Sequence, residues 1–277
     1  MRSLVLSAWL LLLATAAYIP KINGASGDTP LITAVNMNNL ELVKHLLANG
    51  ADAKATNSYG NTALMSAAIY GTNKLVELLL PNSNAKATNN YGITALMSAA
   101  IYGNNKLVEL LLPKSNAKAR DNGGRSTLMY AAYRGRNKMV ELLLPKSDAK
   151  ATENDGYTAL MYAAKYGSYK VKPIELLLPM SNAKATTNSG YTALMFVSSS
   201  GRDKFVKLLL PESDANASNN LGETALMLAA RSGNVKSVEL LLPKSDVKAR
   251  NNGGKTALDI AISERYNQIV ELLQKYN

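Results

Sequence analysis

The stretch Thr62-Ala63-Leu64-Met65-Ser66-Ala67-Ala68-Ile69-Tyr70-Gly71 occurs twice without change, the second time as Thr94 to Gly103. Its spacing predicts a short helix. Thr62 suits the N-cap, while Leu64, Ala67 and Ala68 share one face. Gly71 supplies a C-terminal stop that tolerates positive φ. Downstream, Lys74-Leu75-Val76-Glu77-Leu78-Leu79-Leu80 predicts a second helix, which Pro81 ends because the residue before proline is pushed out of the α region. From Asn82 onward the chain is rich in Asn, Ala, Lys and Thr and has no helical period, as a hairpin or loop would be. The unit is therefore two short antiparallel helices and a protruding hairpin or loop.

That unit recurs eight times, opening at Gly27, Gly60, Gly92, Gly124, Gly156, Gly190, Gly222 and Gly254, with spacings of 33, 32, 32, 32, 34, 32 and 32. A period of this length marks a solenoid, in which each unit buries its apolar faces against its neighbours. Such a stack offers an open flank instead of an enclosed pocket, which favours binding over catalysis.

The pattern Gly-x-Thr-Ala-Leu-Met-x-Ala-Ala-x-x-Gly, then Val-x-Leu-Leu-Leu, then Asp/Asn-Ala-Lys-Ala, resembles the ankyrin repeat. Asn49-Gly50-Ala51-Asp52 in the first copy is similar to that family's usual loop, and the resemblance runs from about residue 24 to the C-terminus. It implies an all-α solenoid of eight helix-turn-helix repeats with short hairpin loops, over residues 27–277. The chain departs from the family at several points. Six copies carry Met65, Met97, Met129, Met161, Met195 and Met227 where the family has His. A lost hydrogen bond costs about 0.5–1.5 kcal/mol and a buried Met returns roughly 1.5–3 kcal/mol, so the exchange is expected to be tolerated. Leu-Leu-Leu-Pro-x-Ser replaces a longer exit. Copy five carries the extra Lys172-Pro173, and its second helix is expected to start at Pro173 after a longer loop. Val197-Ser198 replaces Ala-Ala in copy six and predicts the softest point of the stack. Asn38 stands for the mid-repeat glycine of copy one. His45 reads as a partly exposed capping residue, and Asp259 and the polar Gln274 to Asn277 read as a terminal cap.

Composition narrows the chemistry. The chain has no Cys and one His, which removes thiolate and multi-histidine metal sites and leaves a Ser-His-Asp arrangement only His45, on a packing helix. Gly123-Gly124 and Gly253-Gly254 follow no strand, so neither resembles a phosphate cradle. The expectation is no catalytic residue, no metal, no cofactor and no enzyme activity. Glu77, Glu109, Glu141, Glu175 and Glu239 sit near lysines at i,i+3 spacing, an ordinary surface pairing. The net charge of +11 would suit an acidic partner, nucleic acid or an anionic surface. Lys54, Lys86, Lys118, Lys150, Lys184 and Lys248 share one repeat position and form a ladder. Without interleaved aromatics the ladder reads first as a solvated ridge. Contact with nucleic acid or an anionic surface stays the alternative function, beside a scaffold of intracellular type.

The tyrosines carry more. In ankyrin proteins, ligands usually meet the hairpin tips and the exposed end of the first helix, along a concave groove. The resemblance places Tyr59, Tyr70, Tyr91, Ile101, Tyr102, Arg125, Tyr133, Arg134, Tyr157, Lys165, Tyr166, Tyr191 and Arg231 there, with Asn90, Asn122 and Asp155 among them. Eight of the fourteen tyrosines fall on these positions. Tyr and Arg dominate interface energetics. The plainer alternative is that duplication copied these tyrosines. A monomeric scaffold that binds a protein partner, preferably an acidic segment, is the expected function.

The N-terminus reads separately. Arg2, the apolar Leu4 to Leu13 and the small Ala14-Thr15-Ala16-Ala17 predict a signal peptide over 1–17, with a linker over 18–26. Its apolar run is short for a span, which needs about 20 residues. An uncleaved anchor is the alternative, and no span is expected after cleavage. Secretion is thus expected, and Asn216-Ala217-Ser218 is then a glycosylation candidate. A secreted, cysteine-free ankyrin protein resembles the effectors that pathogens and symbionts deliver into host cells.

Overall fold

A computed structural model describes residues 27–167 and 171–276. The expected signal peptide and linker lie outside the described residues. The chain divides into two compact units, one through Asn122 and one from Gly123. The first holds α1 (Pro30–Asn36), α2 (Leu40–Ala48), α3 (Ala63–Tyr70), α4 (Asn73–Leu79), α5 (Ala95–Tyr102) and α6 (Asn105–Leu111). The second holds α7 (Thr127–Tyr133), α8 (Asn137–Leu143), α9 (Ala159–Tyr166), α10 (Lys172–Leu177), α11 (Ala193–Ser199), α12 (Asp203–Leu209), α13 (Ala225–Arg231), α14 (Val235–Leu241), α15 (Ala257–Ser263) and α16 (Asn267–Gln274). Among the described residues the architecture is all-α, two helices to each of eight repeats.

Every first helix starts as the sequence predicts. Thr62 Oγ1 accepts the Met65 N–H at 3.3 Å and Thr94 Oγ1 accepts the Met97 N–H at 3.2 Å. Losing such a cap costs about 1 kcal/mol. Within each unit first helices pack on first helices and second on second, as α3 does on α5 and α4 on α6. The core is repetitive. Leu64, Met65, Ala67 and Ala68 of α3 meet Leu75, Val76 and Leu79 of α4, all buried. All six repeat methionines are at most 1% exposed, which accounts for Met replacing a polar His at this position.

The hairpins lock together through asparagine. Asn89 Oδ1 accepts the N–H of Tyr91 and of Ile93, both at 2.9 Å, which closes the loop on itself. Its neighbour Asn90 reaches back one repeat, donating from N to Tyr59 O at 3.1 Å and from Nδ2 to Ser58 O at 3.0 Å. Asn122 repeats this on Tyr91 O and Asn90 O, at 3.0 and 2.9 Å. Gly92 fits beneath it with φ +76°; a Cβ there would lie 2.7 Å from Asn122 N. The glycine that marks the period thus meets both a backbone and a space requirement. Isolated antiparallel bridges join Thr56 to Thr62, Thr152 to Thr158 and Ser218 to Thr224.

Local detail departs from the expectations, or adds to them, in four places. Gly71 is not left-handed, at φ −88° and ψ 173°. It is confined by space instead, since a Cβ would meet Ala67 O at 2.6 Å. The identical decapeptide ends differently at Gly103, with φ 89°, because Asn104 follows and accepts the Leu107 N–H at 3.1 Å. Second, Leu80 keeps αR geometry before Pro81, at φ −56° and ψ −39°. The α ladder does stop at Leu79, but the chain tightens into a 3-10 turn over Leu80–Asn82. Proline is tolerated there because the first positions of a helical turn need no N–H partner. Third, at the expected soft point the Ser198 hydroxyl is buried and donates to Leu194 O at 2.7 Å, so the substitution leaves no unsatisfied polar group. Fourth, Arg265 stands at the mid-repeat glycine position with φ 62°, alongside the anticipated Asn38 at φ 52°.

Other details agree. α10 starts at Lys172, with Pro173 in its first turn, while Ser168 to Lys170 lie outside the described residues. Asp259 closes a capping box with Thr256, accepting its N–H and hydroxyl at 2.9 Å each. The backbone bond foremost, then the hydroxyl, holds the Asp259 carboxyl below its usual range. His45 is exposed beside Asn49.

Candidate protein-binding face

In the first unit, the hairpins place Tyr59 and Tyr91 at their tips, and the C-terminal turns of α3 and α5 place Tyr70 and Tyr102. All four side chains stand out, from 46% exposed at Tyr59 to 65% at Tyr70. Ile69, Ile93 and Ile101 lie half-buried at the adjoining positions. These side chains are neutral and largely apolar, a composition suited to dehydration by a partner.

The second unit differs. Tyr133 and Tyr166 are exposed, but Tyr157 and Tyr191 are half-buried because their rings lie on Phe196. Tyr157 stacks on Phe196 at 5.5 Å and 15°, and Tyr191 at 5.4 Å and 12°. Tyr162 bridges this stack to the helix ends, 5.3 Å from Tyr157 and 6.1 Å from both Tyr133 and Tyr166. Burial foremost, then the Glu153 carboxylate, pushes the Tyr162 phenol up to about 12. Arg134 lies over Tyr133, and Arg125 over Tyr130.

Lys165, at the end of α9, occupies the middle of the nest. Its Nζ donates to Tyr157 Oη at 2.6 Å and lies 4.9 Å from the Tyr157 and Tyr166 centroids and 4.8 Å from that of Phe196. Desolvation alone would lower its pKa, but hydrogen bonds to Tyr157 and Tyr166 outweigh this and leave it raised, so the amine is fully charged at neutral pH. An open cleft of about 570 Å³ lies here, lined by Asp155, Tyr157, Lys165, Asn188, Tyr191 and Phe196 among others.

Some of the expected face serves the fold. Asn90 and Asn122 tie hairpins together. Arg231 is exposed but pairs with the nearly buried Glu223, which offsets the basicity assigned to it. Tyr130, Tyr162 and Phe196 escaped the sequence reading, because they follow the repeat Met where copies two and three carry Ser66 and Ser98. A switch from Ser to aromatic at one repeat position was the available signal. The ladder lysines Lys54, Lys86, Lys118, Lys150, Lys184 and Lys248 are all exposed.

Paired short helices, joined by hairpins and repeated eight times among the described residues, define a helical-repeat protein. The family model for ankyrin repeats (3 copies) matches residues 7–89, 70–155, 128–219 and 198–277, and the chain belongs to the ankyrin-repeat family. By that membership it is a protein–protein interaction scaffold, of a family that is generally non-catalytic. Among curated proteins it is similar to a mitochondrial disaggregase of Bos taurus, 37% identical over 75 residues, which are 27% of this chain and 11% of that protein. It is also similar to a mitochondrial disaggregase of Homo sapiens, 45% identical over 53 residues, 19% of this chain and 8% of the other. The chain thus spans about a tenth of the length of these relatives. Among the described residues, no helix is long and apolar enough to cross a membrane.

Proposed function

We propose that this chain is a secreted, monomeric, non-catalytic scaffold that holds a protein partner, one with an acidic segment, against its tyrosine-rich hairpin and helix-end face. The observation behind it is the exposure of Tyr70, Tyr102, Tyr133 and Tyr166, each 39% or more, on a framework whose leucines and methionines are buried. A tyrosine anchor brings contact area and a hydroxyl at low entropic cost. Binding would act by rigid presentation and would block, sequester or recruit the partner. The partner is then a host protein and the chain an exported effector. Tyr70→Ala with Tyr102→Ala, and Tyr133→Ala with Tyr166→Ala, should each abolish co-purification of the partner while leaving helical circular dichroism unchanged. Partner retention by both pairs of variants would end the reading.

Export has its own test. Asn216 is exposed, and its Oδ1 accepts the Asp246 N–H at 2.7 Å, which leaves Nδ2 as the atom to which a glycan would attach. Expression in a eukaryotic secretory host should give a chain that begins after Ala16 or Ala17 and a glycan mass shift lost in Asn216→Gln. Retention of the tagged chain in the producing cell's secretory pathway would count against delivery. The exposed lysine ladder favours a second reading, contact with nucleic acid or another polyanion.

A further inference from the structure

Copies five and seven place different pairs at the same two repeat positions, the residue after the repeat glycine and the one eight further on. In copy seven these are Glu223 and Arg231, and they form an ion pair within the chain. In copy five they are Tyr157 and Lys165, joined at 2.6 Å. A phenol thus takes the carboxylate's place without supplying its charge. Among the described residues, the partners of the Lys165 ammonium are phenols and ring faces, with no carboxylate. Tyr157 Oη accepts from Lys165, so its own proton remains available to an acceptor. Both groups line the open cleft, whose wall is the Tyr157–Phe196–Tyr191 stack. Asp155 lines it as well and would repel a run of acidic residues.

We infer that this cleft is a carboxylate subsite, in which one Asp or Glu side chain of the partner pairs with Lys165 and the Tyr157 hydroxyl while a neighbouring planar or apolar side chain packs on Tyr191 and Phe196. The inference rests on the proposed protein-binding face and narrows it. Charge complementarity selects the occupant, since the Lys165 ammonium is contacted by phenols and rings where copy seven supplies the Glu223 carboxylate to Arg231. The lining carboxylate selects one acidic residue over an acidic tract.

The test is a selection of displayed random linear peptides on the full chain, repeated on Lys165→Met, Lys165→Arg and Tyr133→Ala/Tyr166→Ala. Peptides selected by the wild type should share one Asp or Glu beside an aromatic or apolar residue. Each should lose about tenfold in affinity on Lys165→Met and keep most of it on Lys165→Arg. Changing the peptide's Glu to Gln should cost the wild type the same factor and cost Lys165→Met nothing more, which a double-mutant cycle reads directly. Equal losses from Glu to Gln on wild type and Lys165→Met would overturn the subsite, even with tyrosine-dependent binding intact. Peptides indifferent to Tyr133→Ala/Tyr166→Ala and to Lys165→Met alike would overturn both the subsite and the binding face. Matching circular dichroism and thermal unfolding of the variants keep misfolding out of the comparison, and Tyr157→Phe gives a second, smaller loss from the same contact.

Discussion

Gly92 and Gly50 share a left-handed backbone, at φ +76° and +81°, but only Gly92 is crowded. A Cβ on Gly50 would meet nothing within 4 Å, whereas one on Gly92 would press on Asn122 N and Oδ1, each at 2.7 Å. Gly50→Ala therefore costs only the backbone conformation, about 1–2 kcal/mol. Gly92→Ala should cost more, because the next hairpin must move, and urea unfolding followed by circular dichroism would rank the two. Equal midpoints would show that the Asn122 contact does not hold the repeat together. Serine gives the opposite sign. The hydroxyls of Ser83, Ser147, Ser213 and Ser245 are buried without a partner, while Ser115 at the same repeat position reaches only to Ala85 O at 3.4 Å. An unsatisfied buried hydroxyl costs about 1–3 kcal/mol, so Ser213→Ala should leave the unfolding midpoint unchanged or raise it; a clear drop would mean that the hydroxyl is bonded in solution. The glycine period was legible in the sequence because every copy has a left-handed backbone there, and from Gly60 to Gly222 the next hairpin also leaves no room for a Cβ. The serine burden was not, because Pro-x-Ser reads as an exit turn until the 3-10 turn carries that hydroxyl under the neighbouring hairpin.

At the level of elements, one repeat position decides what the face of a helix becomes. Where the residue after the repeat Met is Ser66 or Ser98, the tyrosines of the first unit stand apart, exposed. Where it is Tyr162 or Phe196, the rings of α9 and α11 join the hairpin tyrosines in one stack. Helices, N-caps and repeat boundaries followed from propensity and period, which are local properties. The nest did not, since its rings come from three repeats and meet only after stacking. Its desolvation makes a pH prediction. The Tyr162 phenol rises from 10.0 to about 12 on folding, so the folded chain holds that proton longer than the unfolded one. Its contribution is fully present below pH 10 and is lost as pH rises towards 12. Tyr162→Phe should flatten the fall in urea midpoint across that window relative to wild type. Parallel slopes would mean that the phenol is not desolvated in the fold.

For the whole molecule, family and architecture were legible because eight in-phase copies overdetermine them. The partner was not, because a repeat protein writes specificity into a few variable positions and keeps the rest for stacking. Net charge of +11 and the tyrosine face then make opposing claims about what is bound, and salt separates them. Contact with duplex DNA through the three ladder lysines of the second unit, Lys150, Lys184 and Lys248, would give a slope of about −2.7 in log K against log salt, from about −0.9 per neutralised phosphate. Binding through the face depends on ring burial and few charges, so its slope should be shallow. The matched experiment measures a fluorescent DNA duplex and the captured protein partner at low and physiological salt. The proteins compared are wild type, a ladder variant with Lys150→Gln, Lys184→Gln and Lys248→Gln, and Tyr133→Ala/Tyr166→Ala. The duplex should bind weakly, respond steeply to salt and to the ladder changes, and ignore the tyrosines. The protein partner should do the reverse. Should its affinity instead collapse with salt and with the ladder variant while surviving loss of the tyrosines, the working surface would be the lysine ridge, and the tyrosine face a product of repeat duplication.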